Sequence, residues 1–172
     1  DGKDKLYSTG QISVTQVCGE PSIIAVQCMK TNVSAYPSEY GKSFTLPVGQ
    51  DIPSQDFIYS SLLIRAAENN TTVQVDRDND GTFDVTLTLN EGQVALVDEY
   101  TAPAGIKINS GSIIASDKPI GVDAHFGGID NYSCREVPVF PATWYSYTYY
   151  TPVPTTGPAA ANPADTAVVM LY

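Results

Sequence analysis

Charged residues are scarce in this chain, and positively charged residues are scarcer still. Only 16% of the 172 residues are charged, and 9 Lys and Arg stand against 19 Asp and Glu, so the formal net charge is -10. A chain with this balance repels nucleic acids and anionic membranes and attracts divalent cations. We therefore expect no nucleic-acid partner.

Long apolar runs and helical periodicity are also lacking. No apolar run approaches the length of roughly 20 residues that spans a bilayer, so we expect no membrane insertion. The chain holds 11 Tyr, 13 Gly and 12 Pro, and Thr, Val and Ser are abundant. Strand-like stretches alternate with turn signals at a spacing of roughly eight to twelve residues, which predicts an all-β antiparallel sandwich, Ig-like or jelly-roll-like.

Residues for catalysis are few as well. The only histidine is His125, and neither a Gly-x-Ser-x-Gly motif nor a metal-ligand cluster accompanies it. We expect a structural histidine bound by a backbone carbonyl, and we predict that the chain is not an enzyme. The cysteines Cys18, Cys28 and Cys134 form at most one disulfide within the chain, or all three are small buried apolar residues.

An acidic loop between two strand-like stretches is the strongest local signal. Asp76, Asp78 and Asp80 alternate along the loop, and Gly81 permits a sharp chain reversal. After the loop, apolar residues alternate with Asp and Thr up to Leu89, as in a half-buried strand. Hard oxygen ligands at this spacing suit Ca²⁺. The predicted ligands are Asp76, Asp78, Asp80, the carbonyl of Thr82, and Asp84.

Two other interpretations of the loop are weaker. An EF-hand needs a bidentate Glu at loop position twelve, where this chain has Leu87, and it needs flanking helices. A solvated hairpin turn over Asn79-Asp80-Gly81 is the alternative that requires no metal. Four Asp against one Arg would make such a turn repel itself, which favours the metal site.

Four sequons indicate where the chain resides. They begin at Asn32, Asn69, Asn70 and Asn131. Each alone is a weak signal, because Asn, Ser and Thr are common in turns. Beside an acidic composition and a calcium-type loop, the four favour a glycoprotein that is extracellular or on the cell surface.

An aromatic segment follows Pro141. Its sequence from Thr143 to Thr151 is TWYSYTYYT. As a strand, the segment would place Tyr145, Tyr147 and Tyr149 on one face, and Trp144 and Tyr150 on the other. Such ladders usually stabilise sheets through cross-strand packing. A surface for carbohydrate or a protein partner, built from Trp144, Tyr145, Tyr147 and Tyr149, is the alternative.

Short matches recur at a distance of about 100 residues. Asn32-x-Ser34 matches Asn131-x-Ser133, and Pro37 matches Pro138. We interpret these matches as tandem β repeats that are out of phase with the given sequence. Residues 1–56 are part of a first repeat, and residues 57–155 are a complete repeat with the acidic hairpin. Residues 156–172 are a Pro/Ala-rich loop and the first strand of a following repeat.

One resemblance to a known family covers roughly residues 55–155. Residues 67–73 fit the pattern A-x-x-[ND]-T-x-V, and residues 111–122 fit G-x-x-I-x-S-x-K-P-[IV]-x-V. With a later Pro-aromatic segment, these motifs resemble the N-terminal module of IgG Fc-binding-protein-like surface proteins, which has similar modules in microbial surface proteins. The resemblance implies an extracellular β-sandwich array with structural or adhesive duties. No residue here matches an immunoglobulin-binding function.

The sequence as a whole predicts a calcium-stabilised structural subunit of an extracellular filament, sheath or surface layer. Its expected partners are copies of itself, joined head to tail or by strand exchange through Leu6 to Val17 or Thr166 to Tyr172. The alternative is a cell-surface adhesin or carbohydrate-binding module that uses the Tyr-rich strand 143–151, with glycans as partners.

Overall fold

The computed structural model of the protein describes residues 9–10, 15–18, 30–33, 40–54, 57–128, 135–146 and 148. These residues contain nine strands: β1 (Thr15–Cys18), β2 (Lys30–Val33), β3 (Gly41–Thr45), β4 (Tyr59–Ala66), β5 (Thr71–Asp76), β6 (Val85–Leu89), β7 (Val94–Asp98), β8 (Ile113–Gly127) and β9 (Arg135–Val139). A single-turn 3-10 helix spans Ala142–Trp144. Every pairing is antiparallel, so the predicted all-β antiparallel class is confirmed.

Strand β8 is the centre of a seven-stranded sheet. Its first part pairs with β5 and β3, and its second part pairs with β4 and β9. At the two ends of the strand order, β6 pairs with β5, and β7 pairs with β4. The sheet thus has two halves that share one strand, and together they approach a barrel. Strands β1 and β2 form a separate two-stranded sheet.

The sequence predicts a turn at Ser116 to Pro119, and this prediction is wrong, because β8 runs through it. Pairing with β5 ends at Ser116, and pairing with β4 begins at Ile120. A proline has no N–H to donate to a ladder and is tolerated at such irregular points. Pro119 therefore lies where β8 exchanges one partner for another, and its carbonyl accepts a bond from the amide of Ala67.

The core lies between the two halves of the sheet. Alternate residues of β4 point into it, as a half-buried strand requires. In β6, Val85 and Leu89 are buried whereas Thr86 and Thr88 are exposed, which confirms the predicted alternation within the strand, but Phe83, which the prediction placed on the same face, is 43% exposed. The fully enclosed side chains include Phe44, Leu46, Leu62, Ile64, Val73, Val75, Val97, Ile108, Ile114 and Ile120.

Several other predictions meet the structure only in part. The strand predicted from Thr143 is wrong at its start, where the 3-10 helix lies, and Tyr147, Tyr149 and Tyr150 fall outside the described residues. Of Leu6 to Val17, Thr15 to Val17 belong to β1; the segment Thr166 to Tyr172 is not among the described residues. Strand β3 precedes the predicted boundary at residue 56 and yet pairs with β8, whereas the repeat itself stays a prediction.

Within the described residues, no helix has the length and apolar character needed to cross a membrane.

Candidate metal centre

The acidic loop connects β5 and β6 at one end of the sheet. Because Val75 pairs with Val85, Asp76 and Asp84 face each other across the mouth of the loop. Positive φ angles at Asn79 (60°) and Gly81 (90°) reverse the chain between them. Glycine adopts this conformation without strain, and Asn tolerates it better than most residues.

Asp76 folds the loop around its own carboxylate. Its side chain is buried, and its Oδ1 and Oδ2 accept hydrogen bonds from the amides of Asp80 (3.2 Å) and Gly81 (2.9 Å). The two bonds satisfy backbone donors that a tight turn leaves unpaired. The Asp at the start of the loop therefore helps to set the shape of the loop.

Three of the four predicted carboxylates converge. Asp76, Asp78 and Asp84 each offer an oxygen, and these oxygens lie within 4.8 Å of one another. Asp80 is not in this group, and its Oδ1 accepts a bond from the amide of Thr82, 2.7 Å away. Asp76, Asp78 and Asp84 could in principle hold a metal ion. The Asp80 carboxylate and the Thr82 carbonyl remain predicted ligands.

Arg77 is the residue that the sequence analysis missed. Its side chain is fully buried, and its guanidinium forms an ion pair with Asp84. The guanidinium also donates to three carbonyl oxygens: that of Asp98 at the end of β7 (2.7 Å), and those of Thr101 (2.8 Å) and Pro103 (2.6 Å) in the loop that follows. A buried guanidinium needs such a set of acceptors, because water is not available to it.

The main chain of Arg77 is engaged as well. Its amide donates to Oδ2 of Asp84 at 2.8 Å, and its carbonyl accepts bonds from the amide of Asn109 and the hydroxyl of Ser112. Nearby, the side chain of Asn79 packs against Gly111, where a Cβ atom would lie 2.4 Å from the side-chain nitrogen Nδ2 of Asn79. The acidic loop is thereby fastened to both ends of the β7–β8 connection.

A pattern in the sequence does predict the burial of Arg77. Thr71, Val73 and Val75 are the buried residues at alternate positions of β5, and the same period of two places Arg77 next in the inward row. The charge balance of the loop treats Arg77 only as one positive charge beside four Asp, and this period is not visible in it. Three carboxylates against one guanidinium leave two unbalanced negative charges, which one divalent cation would neutralise.

The predicted glycosylation sites differ in their surroundings. Asn69 and Asn70 are exposed in the connection between β4 and β5, where Asn70 has a φ of 53°. Their local bonds join the neighbouring turn: the amide of Asn70 donates to Asn90, and Oδ1 of Asn69 accepts from the amide of Glu91. Asn32 lies in β2, and Asn131 falls outside the described residues.

His125 has a partner that the sequence analysis did not predict. Its Nε2 lies 2.5 Å from Oε2 of Glu136, the residue opposite it on β9. On its other side, Ser61 of β4 is opposite His125 in the register. The row has the composition of a catalytic triad, but Ser61 is only 1% exposed, so a substrate cannot reach its hydroxyl from solvent. Ser61, His125 and Glu136 are therefore not part of the candidate site.

Comparison with known proteins yields no match, whether to a family model, a curated protein or a solved structure. The resemblance of residues 55–155 to Fc-binding-protein-like modules therefore stays a prediction. Function has to be argued from the residues of the site.

Proposed function

We propose that this chain is a calcium-stabilised structural domain of an extracellular assembly such as a filament, sheath or surface layer. The convergence of Asp76, Asp78 and Asp84 carries the proposal. Hard carboxylate oxygens gathered at one end of a β-sheet bind a hard cation, and the net charge of -10 attracts one.

Calcium suits this centre better than magnesium. Ca²⁺ accepts six to eight oxygen ligands in variable geometry, whereas Mg²⁺ requires a near-ideal octahedron. The three carboxylates supply three to six of these oxygens. Although both oxygens of Asp76 accept backbone amides, each retains a lone pair for an ion. Water and the Thr82 carbonyl are suitable for the remaining positions.

The expected gain in stability is modest. Extracellular calcium modules bind with a Kd of about 10⁻⁴–10⁻³ M. At millimolar Ca²⁺ this affinity adds about 0.4–1.4 kcal/mol to the free energy of unfolding. The ion would reduce the repulsion among the three carboxylates. Through Asp84 and Arg77 its effect would extend to the loop after β7.

Assembly through strand pairing is supported by β7. Within the described residues β7 pairs only with β4, and it carries Val94 and Leu96, which are 41% and 52% exposed. Neither a charge nor a proline protects its first four residues. Open edges of this kind recruit a strand from another chain. A second copy that adds a strand to β7 would extend the sheet from subunit to subunit.

Thermal unfolding in Ca²⁺ and in chelator tests the metal centre. The native chain should melt about 1–5 °C higher in millimolar Ca²⁺. Asp78→Asn should abolish this difference, because it removes one of the three converging carboxylates and leaves the loop hydrogen bonds of Asp76 and Asp84 in place. The matched control is Glu68→Gln, which removes one exposed carboxylate outside the loop. An equal shift in Asp78→Asn and native protein would place the ion elsewhere.

Assembly is tested separately by electron microscopy and light scattering with and without Ca²⁺. Native protein should form ordered polymers in Ca²⁺. Leu96→Lys should prevent them, because a charge at an exposed edge position disfavours strand addition. Gln74→Lys places the same charge at an exposed position of β5, which is paired on both sides, and should leave polymers intact. Polymers formed by Leu96→Lys would rule out β7 as the joining edge.

A further inference from the structure

Three aromatic side chains are exposed together just after β9. Phe140, Trp144 and Tyr145, here called the aromatic patch, are 52%, 47% and 51% exposed. Exposed aromatic residues that cluster mark binding surfaces more often than isolated ones do. The sequence analysis named Trp144 and Tyr145 but not Phe140.

The indole of Trp144 is held at a fixed orientation. Its centroid lies 5.2 Å from that of Phe140, and the two ring planes differ by only 13°. Such near-parallel stacking is a favourable arrangement for two aromatic rings. Because Phe140 covers one face of the indole, the exposed area of Trp144 belongs to its other face and its edges. A flat apolar surface is therefore presented to solvent.

The backbone under the patch is fixed as well. The amides of Trp144 and Tyr145 donate to the carbonyls of Pro141 (2.9 Å) and Ala142 (3.1 Å), which closes the 3-10 turn. Pro141 is buried and forms an isolated bridge with Phe44 of β3. These contacts anchor the turn to the core of the sheet.

Strand β3 holds the patch at two further points. A Cβ atom on Gly41 would lie 2.2 Å from Cβ of Pro141, so only glycine permits this approach. The hydroxyl oxygen of Tyr145 accepts a bond from the amide of Thr45 at 3.3 Å. A surface fixed in this way loses little conformational entropy on binding, which raises affinity for a rigid ligand.

The segment that carries the patch is uncharged, which favours an uncharged ligand. The chain from Val139 to Tyr150 contains no charged residue, and Thr143, Ser146 and Thr148 offer exposed hydroxyl groups. Flat aromatic surface beside neutral hydroxyl donors and acceptors matches a sugar, which has an apolar ring face and a rim of hydroxyls. Nucleic acid would also stack on aromatic rings, but it needs cations that this segment lacks, and the chain has a net charge of -10.

We propose that the aromatic patch binds a neutral saccharide, with one pyranose ring stacked on the free face of Trp144. No residue of the metal centre takes part, so the two sites can be tested apart. Neighbouring sugar units would lie along Tyr145 and the hydroxyls of Ser146 and Thr148.

Fluorescence provides a direct test, because Trp144 is the only tryptophan in the chain. We would titrate the native chain with neutral oligosaccharides (cellohexaose, xylohexaose, mannohexaose, chitohexaose) and with the charged polymers heparin and polygalacturonate. At least one neutral oligosaccharide should change the emission in a saturable way, with an affinity that does not fall as salt is raised. The charged polymers should cause no saturable change.

Calorimetry on variants then tests the residues. Trp144→Ala should weaken binding of the responding oligosaccharide at least about tenfold, as loss of a central aromatic anchor does. Trp144→Phe retains an aromatic face and should fall between native and Trp144→Ala. Tyr100→Ala removes a more exposed aromatic residue from another loop and should bind like the native chain. Far-UV circular dichroism checks that each variant is folded.

Four results would overturn the proposal. They are the absence of a response to every neutral oligosaccharide, a response to the charged polymers alone, unchanged binding by folded Trp144→Ala, and an emission maximum that shifts with protein concentration in the absence of sugar. The last would show that a second copy covers the patch. A failure here would leave the calcium shift of the metal centre in place, since that shift is measured without saccharide.

Discussion

Nη2 of Arg77 donates a hydrogen bond to the main-chain oxygen of Pro103, 2.6 Å away. A side chain from the β5–β6 loop thereby holds the main chain of the loop that follows β7. The guanidinium is fully enclosed, so none of its bonds is exchanged with water. The acidic loop and the β7–β8 connection consequently form one structural unit.

Replacing Arg77 should be among the most damaging single changes in the protein. Arg77→Met removes the ion-pair partner of Asp84 and the guanidinium donors to the carbonyls of Asp98, Thr101 and Pro103. We expect a loss of about 3–5 kcal/mol in the free energy of unfolding, measured by urea denaturation. Lys42→Met, which removes an exposed positive charge from β3, should change it by less than about 0.5 kcal/mol. A small loss in Arg77→Met would contradict the central part assigned to this side chain.

A close approach of two backbone segments at Gly49 gives a second prediction. A Cβ atom there would lie 2.3 Å from the carbonyl carbon of Asn109. Because backbone cannot move aside as a flexible side chain can, Gly49→Ala should destabilise the protein by about 1–3 kcal/mol. Gly10→Ala, with no atom within 4 Å of the new methyl, is the control. Equal melting temperatures for the two variants would refute the close approach.

Two leucines on neighbouring strands test which side of the sheet faces the core. Leu62 is fully buried, whereas Leu96 on β7 is 52% exposed. Leu62→Ala should cost about 2–5 kcal/mol of stability through lost burial and the cavity left behind. Leu96→Ala deletes the same atoms and should cost less than about 1 kcal/mol in the same denaturant experiment. Similar losses would mean that the faces are assigned wrongly.

Tyr59 makes stability depend on alkaline pH. Burial is the main cause that raises the pKa of Tyr59 above its ordinary value of 10.0, and the charge and hydrogen bond of Asp98 add to it. The folded chain then holds a proton that the unfolded chain releases above pH 10, so the stability is complete below pH 10 and falls as pH rises further. Tyr59→Phe should make this decline less steep in denaturation measured from pH 8 to pH 11.

Tyr100 serves as the comparison for that experiment. Its hydrogen bond to Glu99 is the main cause that raises its pKa, and the side chain is largely exposed. The pKa of Tyr100 is thus raised, as that of Tyr59 is. Tyr59→Phe should therefore reduce the loss of stability at alkaline pH without removing it. A decline as steep in Tyr59→Phe as in the native chain would exclude Tyr59 as a source.

Local patterns in the sequence were sufficient for the hairpin but not for the sheet. The alternation in β6 and the turn at Gly81 predict the loop, and antiparallel pairing then brings Asp76 and Asp84 together. The passage of β8 through Pro119 depends on partners far away in the chain, which no local pattern contains. Likewise, nothing near Phe140 shows that its ring stacks on Trp144, because the 3-10 turn that joins them is anchored by β3.

The position of β8 in the sequence has a consequence for how the chain folds. Ile113–Gly127 comes late, yet it is the direct neighbour of β3, β4, β5 and β9. During synthesis, β3, β4 and β5 therefore lack this pairing partner until β8 has been made, and their apolar faces stay exposed until then. Pairings between strands distant in sequence also slow folding by requiring large loops to close first. We infer that the seven-stranded sheet forms only after β8 has been added, and that a nascent chain ending before residue 113 cannot form it.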